Sequence, residues 1–138
     1  VIMATRATDP HESNTVYAQG GIVYRGVGDT PAALAEDIIR AGGDHCNPIA
    51  VDILAQEGPV RVDEILRARA PVDFDRTESG ELSLAREGGH SMPRILHVAD
   101  CTGKSIEVAL MKAVSGHPNI ILLTGHTALQ GARPPDVA

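Results

Sequence analysis

At 138 residues with 43% apolar content, the chain is long enough for one domain with a real core. A net charge of −6 and aromatics limited to Tyr17, Tyr24 and Phe74 argue against a nucleic-acid surface, which needs cations for phosphates and rings for bases. No apolar run approaches the roughly 20 residues that span a bilayer and no signal peptide opens the chain, so a cytoplasmic protein without a membrane partner is expected. Cys46 and Cys101 fit no CxxC or zinc-finger spacing and are read as reduced, buried thiols.

In chain order, Val1 to Thr5 is a short apolar run that predicts a buried parallel strand, with Arg6 at its C-terminal end. Asp9-Pro10-His11 breaks regular structure. The stretch from Ser13 to Ile22, SNTVYAQGGI, is small, polar and flexible. Its paired glycines let backbone approach a flat or anionic ligand, so it is read as a ligand-approach loop after a strand. Gly26-Val27-Gly28-Asp29 is a turn.

Thr30 as N-cap and Pro31 at the first position start a helix. Leu34, Ala35, Ile38 and Ile39 form its apolar face, Glu36, Asp37 and Arg40 point away, and Gly42-Gly43 ends it. A second helix starts at Asn47-Pro48 by the same device, carries Ile49, Ile53 and Leu54, and stops near Gly58. A third runs from about Pro59 to Arg69 with Val62, Ile65 and Leu66 inward. Asp73 to Leu84 predicts a hairpin turning at Ser79-Gly80, with Leu82 and Leu84 alternating with polar residues. Arg86 to Ser91 is a second glycine-containing polar loop. Asp100-Cys101-Thr102-Gly103 leads into a helix from about Lys104 to Ser115, which carries Ile106, Ala109, Leu110 and Ala113 and has Gly116 as C-cap. The apolar run Ile120 to Leu123 then predicts a second buried strand. A helix followed by such a strand is half of a βαβ unit, so the fold class is α/β.

The glycine pairs at 20–21 and 88–89, with the Thr-Gly helix entry at 102–103, suggest a ligand cleft, although paired glycines are also ordinary turn chemistry. The GxGxxG dinucleotide fingerprint is absent. Arg86, Glu87, His90, Arg94, His97 and Asp100 form the densest ionisable cluster. A carboxylate flanked by cations orients an amine or guides a proton, whereas a solvated, salt-bridged surface explains the same residues, and composition alone favours the surface. No spacing fits a metal site. His11, His45, His117 and His126 have no constellation around them, and Cys101 has no base fixed nearby.

SNTVYAQGGI at 13–22, REGGHS at 86–91 and RILHVADCTG at 94–103, in that order and with a helical segment between the first two, together resemble the L-aspartate oxidase family. These are the FAD enzymes of NAD biosynthesis, related to the succinate dehydrogenase and fumarate reductase flavoproteins. The resemblance covers roughly Val1 to Ala128. It implies a partial Rossmann-like FAD-binding domain over 1–128 that lacks its first strand-turn-helix and carries inserted short helices and a β-hairpin, and a non-family tail over 129–138, expected to be disordered.

The resemblance further implies that Arg6 approaches the adenosine side of FAD and that Asn14, Thr15, Val16, Tyr17, Ala18, Gln19, Gly20 and Gly21 line the cofactor. The dehydrogenases carry SHT in the first motif, with the His tethered to flavin. Asn14 cannot form that bond, so non-covalent FAD is expected. Glu87 stands where the dicarboxylate enzymes have an apolar residue and is expected to meet the α-ammonium of L-aspartate. The implied reaction oxidises L-aspartate to iminoaspartate, with oxygen or fumarate as electron acceptor. The family's catalytic Arg and capping domain have no counterpart in these residues. A segment of a larger flavoenzyme is therefore expected, inactive and weak in FAD binding by itself, with apolar sheet edges that favour self-association. A non-catalytic interaction or scaffold module and a flavoprotein for another dicarboxylate or amino acid are the alternatives.

Overall fold

The computed structural model describes residues 1–43 and 45–129. Among the described residues, two small sheets, three α-helices, a 3-10 turn and a π-helical segment make up the fold. Strand β1 (Ile2–Ala4) pairs in parallel with β5 (Ile121–Leu123), in the register Ile2 to Ile121, Met3 to Leu122 and Ala4 to Leu123. Both apolar runs thus become strands, and the mixed α/β class holds. Ile2 and Ile121, partners in the ladder, remain 67% and 58% exposed, so this sheet leaves apolar side chains uncovered. The predicted tail lies outside the described residues from 130 onward.

A second sheet, antiparallel and ordered β2-β4-β3, joins β2 (Ile22–Val23), β4 (Ile95–Leu96) and β3 (Leu84–Ala85). The sequence pattern misses it because two-residue strands carry no readable period. The expected hairpin precedes it: Thr77 donates to the Glu81 carbonyl at 2.8 Å, Arg76 bridges to Leu82, and Gly80 turns with φ +86°. The core lies between this sheet and the helices. Val62, Leu66, Phe74 and Leu96 are buried there, and Ile22, Leu84, Ile106 and Leu110 pack against them.

Helix α1 (Pro31–Ala41) starts as expected, with Thr30 Oγ1 accepting from Ala33 N at 3.2 Å. One residue of its polar set is misplaced by the helical wheel. Asp37 is 2% exposed, because it has a buried ion partner described below. Helix α2 (Pro48–Arg61) has Asn47 as N-cap, but it does not stop near Gly58. Pro59 lies inside it, and the chain runs straight on into a π-helical segment, Val62–Arg69. Proline removes one i−4 donor and crowds the carbonyl of Ala55, and the wider π turns follow directly. Val51, Ala55, Pro59, Val62 and Leu66 form the inward stripe along this joined helix. The predicted inward residues Ile49, Ile53 and Leu54 are more than half exposed. Their spacing was compatible with a core face, but the i,i+4 line through Val51 and Ala55 is the one that continues past the proline.

Helix α3 (Thr102–Ser115) starts two residues before the predicted start, since Thr102 and Gly103 are already helical, and Gly116 caps it. None of the described helices is long and apolar enough to cross a membrane. Cys46 and Cys101 are free and half-buried rather than fully buried.

Candidate functional site

The stretch SNTVYAQGGI is not a plain loop. Asn14–Tyr17 forms a 3-10 helix, and Ala18 N donates to Thr15 O at 3.1 Å. This turn sits on the N-terminus of α3. Gly103 N donates to Ala18 O at 3.0 Å, and a Cβ on Gly103 would lie 2.0 Å from Thr15 O. Thr15 and Ala18 therefore serve as packing surface for α3 at least as much as a ligand wall, and only glycine fits opposite them.

The two glycines of the stretch do different work. A Cβ on Gly21 would lie 2.2 Å from Ile95 Cγ2 and 2.3 Å from Leu96 O, so strand pairing with β4 already requires glycine there. A Cβ on Gly20 would meet only the Glu87 carboxylate, at 3.7 Å. Gly20 is thus the glycine whose open side is left for a ligand. Gly21 N donates to Glu87 Oε1 at 3.2 Å, which brings the first and second motifs together and leaves the rest of the exposed carboxylate free to meet a second donor.

Arg6, Asn14 and Tyr17 lie elsewhere, in a polar cavity of about 550 Å3 just past the C-terminal end of β1, with Thr5 and Ser13 in its wall. Ligands of open α/β sheets bind at this end of the strands. Ser13 Oγ is buried with no hydrogen-bond partner, so this wall holds an unsatisfied polar group. Val16 is half-buried in a separate cleft against α3 with Lys104 and Val108, and Gln19 is exposed. Of the expected cofactor residues, Arg6, Asn14 and Tyr17 therefore line the polar cavity and Gly20 and Gly21 lie at the Glu87 contact, while Thr15, Val16, Ala18 and Gln19 belong to neither.

The ionisable cluster is not one solvated surface. Arg94 is fully buried and grips Asp29 with two parallel bonds, Nε to Oδ2 at 2.7 Å and Nη2 to Oδ1 at 2.9 Å. Its Nη1 donates to Asp37 Oδ2 at 2.5 Å and also contacts His90 Nδ1 at 3.1 Å. Ser91 donates to the same Asp37 oxygen through its backbone N at 2.7 Å and its hydroxyl at 2.8 Å. Arg40 Nη2 lies 3.1 Å from Asp37 Oδ1 as an ion pair, outside hydrogen-bonding geometry. Burial pushes the Asp37 carboxyl up, but the Ser91 bonds and then Arg94 outweigh it and hold it far below the usual carboxylate range. Asp29 is also lowered: burial opposes the shift, and Arg94 together with the Gly26 and Thr30 amides wins. This network clamps the REGGHS loop onto α1, and Arg86 Nε closes the loop by donating to His90 O at 2.9 Å.

Asp37 and Asp29 were missed by sequence reasoning. The available signal was that Asp37 falls three residues after Leu34 on the inward side of α1. His11 also gains a partner: its Nδ1 lies 3.1 Å from Oε2 of the buried Glu107 on α3. His97 pairs with Asp75 at 2.9 Å, away from the Glu87 contact. Among the described residues no three His, Cys, Asp or Glu side chains converge as a metal site.

Residues 2–130 match the family model described as FAD binding domain. The chain belongs to the FAD binding domain family. The resemblance to L-aspartate oxidases is borne out by curated relatives of this FAD binding domain chain. The chloroplastic L-aspartate oxidase 2-a of Nicotiana tabacum is 46% identical over 94% of the chain and 20% of the relative. The L-aspartate oxidase of Halobacterium salinarum is 36% identical over 94% of the chain and 25% of the relative. Among solved structures, the Mycobacterium smegmatis Sdh1 complex in the apo form superposes with a TM-score of 0.81 at 29% identity, over 91% of this chain and 23% of that one. An E. coli quinol fumarate reductase superposes with a TM-score of 0.82 at 22% identity, over 90% of this chain and 21% of that one, and supports the fold alone. The chain thus spans about a fifth to a quarter of the length of these relatives.

Proposed function

We propose that this FAD binding domain chain acts in a flavoenzyme that oxidises L-aspartate to iminoaspartate, as the names of its relatives suggest. The observation that carries the reading is the Glu87 carboxylate held on Gly21 N beside the open side of Gly20. A carboxylate at the cofactor-lining loop attracts the ammonium of an amino acid and repels a plain dicarboxylate. That favours aspartate over the other dicarboxylate reading, and the scaffold reading has no observation in its favour.

FAD fits the residues present. The partnerless Ser13 hydroxyl in a polar cavity calls for a donor or acceptor that the protein does not supply, and Arg6 in the same cavity suits a phosphate. Arg6, Ser13, Asn14 and Tyr17 would hold the cofactor on that side, with the backbone at Gly20 on the other. Asn14 offers an amide where a covalent tether needs a nucleophilic ring, so binding is non-covalent. Bound FAD supplies the hydride acceptor for the Cα–H of the substrate. The protein's own part is to fix the amino acid: Glu87 pairs with the ammonium, and the Asp37–Ser91 bonds keep the Glu87 loop in place. The ammonium must lose a proton for the imine to form, and the Glu87 carboxylate paired with it would be the group able to take that proton.

We assign NAD biosynthesis as the pathway and oxygen or fumarate as the acceptor on the same family reading, and expect weak FAD binding by these residues alone. The tobacco relative is chloroplastic, so family membership does not fix a cytoplasmic location. Titrating FAD into the chain and following flavin fluorescence and thermal shift tests the cofactor reading. Weak quenching that disappears in Arg6→Ala supports it, and no interaction at any FAD concentration removes Arg6 and Asn14 from the cofactor set.

A further inference from the structure

His90 is the one member of the REGGHS loop that lines a second cavity, of about 690 Å3, bounded by β2, α1, α2, the π-helical segment and α3. That cavity is walled almost entirely by apolar side chains such as Leu34, Ile38, Val62 and Leu110. Gly21 borders it too, and the same glycine holds Glu87 through its N–H. Glu87 thus accepts from, and His90 shares a cavity with, one residue of the proposed cofactor-lining loop.

The hydrogen bond between Arg94 Nη1 and His90 Nδ1, 3.1 Å long, admits only one direction. A guanidinium has five donors and no acceptor, so Nδ1 must accept and carries no proton. Arg94 is itself unable to turn away in its fully buried site, because Asp29 holds Nε and Nη2 at 2.7 and 2.9 Å and Asp37 accepts the second Nη1 hydrogen at 2.5 Å. The neutral ring then bears its proton on Nε2. No partner within the protein engages Nε2 among the described residues, so in a cavity lined mostly by apolar side chains, with Arg61 the other polar one, this donor is left for a ligand, and a hydrogen bond to an anion there is strong.

We propose that His90 is a substrate-binding donor whose Nε2–H takes a carboxylate oxygen of the amino acid whose ammonium meets Glu87, and that Arg94 is the positioning residue that imposes this tautomer. The pair gives a dicarboxylic amino acid one acceptor for its ammonium and one donor for a carboxylate. The proposal rests on the aspartate reading of Glu87, but the two residues read different groups of the ligand and are separable by experiment. His90 reads a carboxylate, which aspartate and succinate share, while Glu87 reads the ammonium, which succinate lacks.

Two measurements test it. A long-range 1H–15N correlation spectrum of the 15N-histidine-labelled protein, with the His90 signals assigned by their absence in His90→Gln, reads the tautomer without perturbing the network. The Nε2–H form is expected, and the Nδ1–H form overturns the proposal. In the FAD-loaded flavoenzyme carrying this chain, dissociation constants for L-aspartate and succinate are read from the flavin absorbance change. His90→Leu should weaken both ligands by about 10- to 100-fold, the worth of a hydrogen bond to a charged group. His90→Gln, which can accept from Arg94 with its oxygen and donate with its nitrogen, should stay within about 3-fold of the parent protein. Unchanged binding of both ligands in His90→Leu overturns the assignment whatever Glu87 does. Glu87→Gln should weaken aspartate alone, and equal effects on both ligands refute the Glu87 reading while the His90 result stands on its own numbers.

Discussion

Gly103→Ala sets two physical rules against each other. Gly103 is a helical residue of α3, and by intrinsic propensity alone alanine there stabilises by about 1 kcal/mol. The packing predicts the opposite sign. The new Cβ falls 2.0 Å from Thr15 O and 2.7 Å from both Ala18 Cβ and Ala18 O, and backbone atoms cannot swing aside. The 3-10 turn and the start of α3 must part by about 1.4 Å to reach ordinary contact, which costs about 1–3 kcal/mol by overpacking. The bond from Gly103 N to Ala18 O is lost with it, about 1 kcal/mol more. After the propensity gain, a net loss of about 1–3 kcal/mol remains. Urea unfolding followed by circular dichroism measures it, with Gly58→Ala as the control. Gly58 is also helical, and its new Cβ meets nothing closer than Leu54 Cδ1 at 3.4 Å, so that variant should gain up to about 1 kcal/mol. A Gly103→Ala protein as stable as the parent would refute the docking of the 3-10 turn on α3, and with it the geometry of the stretch from Ser13 to Ile22.

Three further outcomes follow from the same structure. Asp37 and Asp29 have folded-state pKa values below their unfolded ones, so their contribution is complete above the unfolded carboxylate value of about 4 and is lost as pH falls through the folded values. Stability measured against pH should fall on the acid side, and Asp37→Asn should flatten that fall and cost about 3–5 kcal/mol at pH 7, because Arg94 loses a buried partner. Phe74→Ala, at a site 2% exposed in the core, should cost about 3–5 kcal/mol in the same urea assay. Thr30→Ala removes the cap on Ala33 N and should cost about 1 kcal/mol, with little effect on ligand binding.

The features legible in the sequence are those set by neighbours along the chain. Thr30-Pro31 and Asn47-Pro48 announced their helices because capping needs only the next two or three residues, and both caps form. Gly58-Pro59 announced a stop that does not occur, since a helix can absorb a proline by widening into π turns when its inward stripe continues through Val62 and Leu66. Long-range pairs left no local trace. Arg94 and Asp37 are 57 residues apart, so the buried clamp that turns a charged stretch into a rigid loop anchor appears only in three dimensions. The contact of Glu87 with Gly21, 66 residues away, was not read from the sequence either: the motif resemblance gave the two residues separate roles, toward substrate and cofactor, without bringing them together. Gly21 and Gly103 carry a related lesson: their place in a ligand motif suggested cofactor approach, and the structure shows that close packing already demands glycine at both.

On the proposed function, these residues serve a flavoenzyme for L-aspartate, with Glu87 selecting the ammonium. Anaerobic addition of substrate to the FAD-loaded enzyme carrying this chain, followed by the loss of flavin absorbance, tests it most directly. L-aspartate should bleach the flavin and succinate should not, and Glu87→Gln should slow bleaching by aspartate by 10-fold or more, on the order expected for a lost charge-assisted contact. Bleaching by succinate at the rate of aspartate, or a Glu87→Gln enzyme that aspartate reduces as fast as the parent, would contradict the account.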